Sequence, residues 1–181
     1  EQINLLNRWQ YIDAEKGWVS FVNVRFLQDE KLLGQLDFNP KMNNKNSQVW
    51  GSEIKTKRYE STLKLGYVFP ALPYQSFGAQ FAYSDHNQES YFGNRSYDIY
   101  HKSTYANLLF NSIFSNTKHK YKVGINLASD QYDETIEVNQ VERTDRSVGT
   151  FFEYSYDSLE KLSMVLGVRF DHHNHIGSFV T

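Results

Sequence analysis

The sequence has no cysteine among its 181 residues, only 3 prolines, and no apolar stretch approaching the roughly 18 residues of a membrane-spanning helix. Without cysteine, neither a disulfide framework nor a thiol nucleophile is available, which leaves an extracytoplasmic location open. The formal net charge is −2 and no basic field is present, so nucleic acid is not an expected partner. A nucleophile elbow, a glycine-rich phosphate loop and a metalloprotease helix are also missing. The expectation is a protein that is not an enzyme, and nothing in the chain asks for a cofactor.

What is present is an unusual pair of properties. Aromatic residues make up 16% of the chain, with 13 Tyr and 13 Phe, yet the mean hydropathy is −0.62. A soluble core this aromatic would bring more aliphatic residues with it. A transmembrane β-barrel reconciles the two, because only one face of each strand meets lipid and aromatic girdles mark the interfaces.

Period-two alternation carries the argument further. From Arg58 to Phe69, the set Tyr59, Leu63, Leu65, Tyr67 and Phe69 opposes Arg58, Glu60, Lys64 and Gly66. Read as a helix, the same segment gives no apolar stripe. The pattern returns at Phe77–Tyr83, Lys120–Asp130, Val148–Tyr156 and Leu162–Phe170, with Phe151 a misfit on the polar side. Ile3–Ile12, Trp18–Leu27 and Ile99–Phe114 alternate less cleanly but are rich in β-formers. The expectation is about seven full strands and the start of an eighth at Ser178. Short links at 13–16, 70–73, 115–118 and 157–160 alternate with polar stretches at 28–53, 86–96 and 131–146, which read as longer loops. The Asn-rich stretch from Phe38 to Gln48 reads as a mobile external one. Short turns on one side and long loops on the other are a property of outer-membrane barrels.

Several clusters are candidates for chemistry. His172, His173 and His175, beside Asp171 and Asn174, are a possible metal site. If the strand continues, however, neighbouring histidines point to opposite faces, and a polar strand end is the plainer reading. His86 and His101 lie on other strands and could join them. Asp130, Asp133 and Glu134 could form a calcium-like oxygen site, or simply a solvated loop mouth. Arg58, Glu60, Lys64, Lys120, Lys122, Glu153 and Arg169 fall on the polar side of their strands. In a barrel they would face the lumen and form cross-strand ion pairs; a solvated sheet face would have the same sequence.

Certain segments resemble the barrel region of TonB-dependent outer-membrane receptors of the kind abundant in Bacteroidetes. They are Leu5-Leu6-Asn7-Arg8-Trp9-Gln10-Tyr11, Lys16-Gly17-Trp18-Val19-Ser20, Leu63-Lys64-Leu65-Gly66-Tyr67-Val68-Phe69, Ala82-Tyr83-Ser84-Asp85-His86, Ser90-Tyr91-Phe92-Gly93, Asn111-Ser112-Ile113-Phe114, and the run from Gly167 to Asn174. The resemblance implies an all-β, antiparallel, up-and-down transmembrane β-barrel in the bacterial outer membrane. The chain would supply about eight strands of a barrel of roughly 22. Residues 1–181 would be one part of a single barrel domain, a middle section without the plug domain. The partners implied are outer-membrane lipid, the plug of the same receptor, the TonB system and an unknown nutrient: a metal chelate, haem, a cobamide or a glycan. A small eight-stranded barrel acting as adhesin or anchor remains open, as does a soluble β-sandwich or lipocalin-like binding protein.

Overall fold

The computed structural model describes residues 1–40, 48–158 and 161–181. Among them nine strands form one antiparallel sheet in sequence order: β1 Gln2–Asp13, β2 Trp18–Gly34, β3 Gly51–Val68, β4 Ser76–Phe92, β5 Arg95–Ile113, β6 His119–Ile136, β7 Asn139–Asp157, β8 Ser163–His173 and β9 Gly177–Val180. Every strand pairs only with its sequence neighbours, so the sheet is an up-and-down meander. The expected count was one short. Ile3–Ile12, Trp18–Leu27 and Ile99–Phe114, whose patterns are mixed, are all full strands, because ladder pairing with their neighbours outweighs imperfect alternation.

No second layer covers this sheet among the described residues. Among the described residues the only buried hydrophobic one is Tyr91, at 9% exposure. Leu65, Ile125, Leu127, Leu166 and Val168 are all exposed. A β-sandwich buries one face of each sheet against the other, and the described residues form no second sheet to bury it against.

Registers show which residues share a face, since directly paired residues point the same way. Trp18 pairs with Tyr67, Tyr67 with Phe77, Phe77 with Phe110, Phe110 with Val123, Val123 with Phe152 and Phe152 with Val168. This row opens an apolar belt on one face, and Phe26 and Tyr59, with ring centroids 5.0 Å apart, lie at its far edge. Near the short links the belt is aromatic: Trp18 and Tyr67 are 4.7 Å apart, and Phe114 and Tyr121 stack at 4.4 Å. From Tyr59 to Tyr67 the belt occupies about nine residues of β3, the length a tilted strand needs to cross a hydrocarbon layer.

The long-loop expectation is corrected in two of its three places. The stretch 86–96 is the end of β4, the two-residue turn Gly93-Asn94 and the start of β5. The stretch 131–146 is likewise β6, a turn at Glu137-Val138 and β7. In the third, β2 runs to Gly34 and β3 begins at Gly51; the external loop expected over 38–48 is described only in part, since 41–47 lie outside the described residues. Links 13–16, 70–73 and 115–118 fall at the expected turns, and 157–160 lies partly outside the described residues.

The error has a physical cause. Beyond Tyr59 the pattern changes phase: Lys57, Lys55 and Glu53 now share the face of the belt, while Ile54 lies on the other. Ile54 pairs with Ser90, Ser90 with Tyr97, and Tyr97 with Ile136, so this inversion continues across four strands without interrupting the ladders. A strand that exchanges its polar and apolar faces reads as a loop in sequence. It is a continuous hairpin here.

Candidate functional site

The face opposite the belt gathers the polar side chains. Register places Arg58, Glu60, Lys64, Lys120, Lys122, Glu153 and Arg169 on that one face. Lys122 Nζ meets Glu153 Oε1 across strands at 3.0 Å. Arg58 and Arg169 instead pair within their own strands, Arg58 Nη2 with Glu60 Oε1 at 2.7 Å and Arg169 Nε with Asp171 Oδ2 at 2.6 Å. Lys64 and Lys120 join no ion pair among the described residues.

Two glycines open space for these groups. Arg169 also donates from Nη2 to Asn126 Oδ1 at 2.8 Å, and this cluster lies where a side chain on Gly149 would stand. Gly124 is covered by the Phe151 ring. Phe151, the apparent misfit, therefore fills a glycine gap on a polar face, a known way of rescuing a glycine in a sheet.

A second network crosses β1 to β3. Arg8 Nε donates to Asn23 Oδ1 at 2.7 Å, and Asn23 Nδ2 donates to Thr62 Oγ1 at 2.8 Å. Arg25 Nε donates to Asn4 Oδ1 at 3.0 Å, and its Nη1 lies 3.4 Å from Glu60 Oε2. Small side chains at Thr62, Ala82, Ser84 and Ser103 leave a shallow groove of about 320 Å³ beside these arginines, with Tyr105 on its other flank.

One row outward the register aligns Arg58, His86, His101, Tyr132 and Arg143. His101 Nε2 lies 3.1 Å from Asp130 Oδ1, and its ring stacks on Tyr132 at 4.2 Å. The Arg143 guanidinium sits over the same Tyr132 ring at 4.4 Å. Arg58 Nε and His86 Nδ1 are buried atoms without a hydrogen-bond partner among the described residues. Sequence reasoning missed Arg8, Asn23, Arg25, Tyr132 and Arg143. They fall in three neighbouring rows that exist only once register is set, and no local motif announces them.

The remaining candidates separate. His172 shares the belt face and its Nδ1 meets Ser178 Oγ at 2.9 Å. His173 lies on the polar face. His175, in the β8–β9 turn, sits 3.3 Å from Asp145 Oδ1. Asp130 and Glu134 share the polar face, whereas Asp133 lies on the opposite one. No group of three or more His, Cys, Asp or Glu able to hold a metal ion occurs among the described residues. The polar face thus offers cations, carboxylates, amides and hydroxyls for binding, with aromatic rings between them.

No family model matches the sequence, and no curated protein matches it either. Among solved structures, the fold is similar to that of the alcaligin outer membrane receptor FauA from Bordetella pertussis. The TM-score is 0.76 at 11% sequence identity, over 95% of this chain and 28% of that chain. The chain therefore spans under a third of that receptor's length, and at this identity the likeness speaks for the fold alone. The chain has the all-β, up-and-down fold of a stretch of β-barrel wall from an outer-membrane receptor.

Proposed function

We propose that the chain is part of the barrel of a TonB-dependent receptor in a bacterial outer membrane, of the kind abundant in Bacteroidetes. The receptor takes up a scarce nutrient such as a metal chelate, haem, a cobamide or a glycan. The observation that carries this reading is a single uncovered sheet with an aromatic-edged apolar belt on one face and a hydrogen-bonded polar network on the other. Lipid covers the belt, and the polar face lines the lumen, where it meets water, the plug of the same receptor and the passing solute. The likeness to a receptor named for alcaligin favours a receptor over an adhesin.

Single-cysteine labelling of the full-length protein, in a cysteine-free background, tests the placement of the faces. A membrane-impermeant maleimide applied to opened outer-membrane sheets is expected to modify cysteine at Lys64 and Glu153 and to spare cysteine at Leu65 and Ile125. Equal modification of all four would refute the barrel reading. Uptake is tested separately: deleting the gene should abolish energy-dependent accumulation of one nutrient class, and accumulation unchanged for every class would refute the receptor reading.

A further inference from the structure

The apolar belt is not uniform. On its outer half Phe81 pairs with Ala106, Ala106 with Leu127, Leu127 with Val148 and Val148 with His172. One step outward, Thr104 pairs with Ser129 and Ser129 with Arg146. The small side chains of Ala106, Thr104 and Ser129 leave an open groove of about 660 Å³, flanked by Phe81 on one side and by Leu127 and Val148 on the other. Arg146 and Asn174 line its outer end.

Arg146 is exposed, and its side chain joins no ion pair among the described residues. Its backbone is fixed nonetheless: the Arg146 amide donates to Asn174 Oδ1 at 2.9 Å, and the Asn174 amide donates to the Arg146 carbonyl at 3.0 Å. The next cation outward on this face, Lys102, is occupied over the Tyr100 ring at 5.0 Å. An exposed guanidinium on a fixed backbone, without a counterion among the described residues and at the edge of an apolar groove on a lipid-covered face, calls for an anion attached to an apolar chain.

We infer that this groove is a site for a phosphorylated lipid of the outer leaflet, with an acyl chain lying over Ala106, Thr104 and Ser129 and the phosphate on Arg146. The inference rests on the membrane placement proposed above. Charge complementarity selects the headgroup, the small side chains give the chain a seat, and the position of Arg146 beyond Val148 matches the depth of a headgroup.

The test is native mass spectrometry of the full-length receptor in neutral detergent, given equal amounts of dipalmitoyl phosphatidic acid and dipalmitoyl phosphatidylcholine. The wild type should retain the phosphatidic acid about tenfold better, the effect of one charge-assisted bidentate pair. Arg146→Gln should erase the preference while some lipid of either kind remains. Ala106→Phe should fill the groove and reduce retention of both, with folding of each variant checked by heat-modifiable migration. Equal retention of the two lipids by the wild type, or an undiminished preference in Arg146→Gln, would overturn the groove site and leave the barrel reading intact. A receptor that stays monodisperse without detergent would overturn the membrane placement itself.

Discussion

The belt and the hairpin extensions beyond it belong to the same strands, yet they distribute polarity in opposite ways. Within the belt, β6 presents Val123, Ile125 and Leu127 on one face and Lys122, Asn126 and Asp130 on the other. Past Asp130 the first face carries Gln131 and Asp133, and the second carries Ile136. The ladder is continuous through the change, so no bulge or register slip produces it. In the proposed barrel the environment does: hydrocarbon at one level and water at the next require opposite things of the same face. The extensions also hold the one buried hydrophobic side chain among the described residues. Tyr91 is buried there, Phe38 lies over Gly34 and Gly51, and Trp50 lies over Gly93.

The largest test of this contrast places one charge at each level of β6. Ile125→Arg is expected to destabilise folding of the full-length protein into vesicles by about 2–4 kcal/mol, the cost of arginine near the bilayer midplane. Asp133→Arg, on the same face but beyond the belt, should change stability by less than about 0.5 kcal/mol. Asp133 stands directly opposite Glu142, so the reversed charge also removes a like-charge pair. Urea-dependent refolding measures both, and equal costs would mean that the belt does not end where the pattern inverts.

Packing on the polar face gives a smaller effect. Gly124→Ala places a methyl group where the Phe151 ring now lies and should cost about 1–3 kcal/mol through overpacking. In the Phe151→Ala background the same change should cost less but still something, because the Leu108 carbonyl oxygen stands 2.7 Å from the new carbon, so a double-mutant cycle reads the ring's share of the contact. Additive effects would show that the ring does not cover Gly124.

In the extensions, strain outweighs charge. Glu137 has φ +59° in a two-residue turn where glycine is favoured, and its ion pair with Arg95 is long at 3.7 Å and exposed. Glu137→Gly should stabilise the protein by about 1 kcal/mol, the cost of a left-handed backbone less a weak surface pair. A lower thermal midpoint for this variant would contradict the strain argument.

The smallest effect lies at the opposite end of the sheet, in the β1–β2 turn. Asp13 is held below its ordinary value of 3.8, chiefly because the Lys16 backbone N–H donates to its carboxylate at 3.0 Å. A lowered folded-state value means that the contribution is fully present above pH 3.8 and is lost as pH falls through the folded value. Exchange of the Lys16 amide should therefore quicken below about pH 4 beyond the intrinsic trend, and Asp13→Asn should remove that pH dependence.

Much of this was legible in sequence for a specific reason. A strand that separates lipid from water writes its two faces alternately into the chain, so Arg58–Phe69 and Lys120–Asp130 could be read directly. Seven of the charged residues of the polar face were legible for the same reason, and register brought them onto one face. The extensions were not legible, because their faces exchange character and polarity alone resembles a loop. The Arg58–His86–His101–Tyr132–Arg143 row was not legible either, since its members are separated by whole strands and meet only through pairing.

By itself, then, the sequence determined that the chain is built of strands and, within the belt segments, which residues of one strand share a face, because period-two alternation is local and needs no partner. Only the tertiary structure decided where each strand ends, that Phe151 covers Gly124, and that the arginine, histidine and tyrosine side chains form continuous rows. Those outcomes depend on register between strands, which hydrogen-bonded pairing sets over distances that no local pattern encodes.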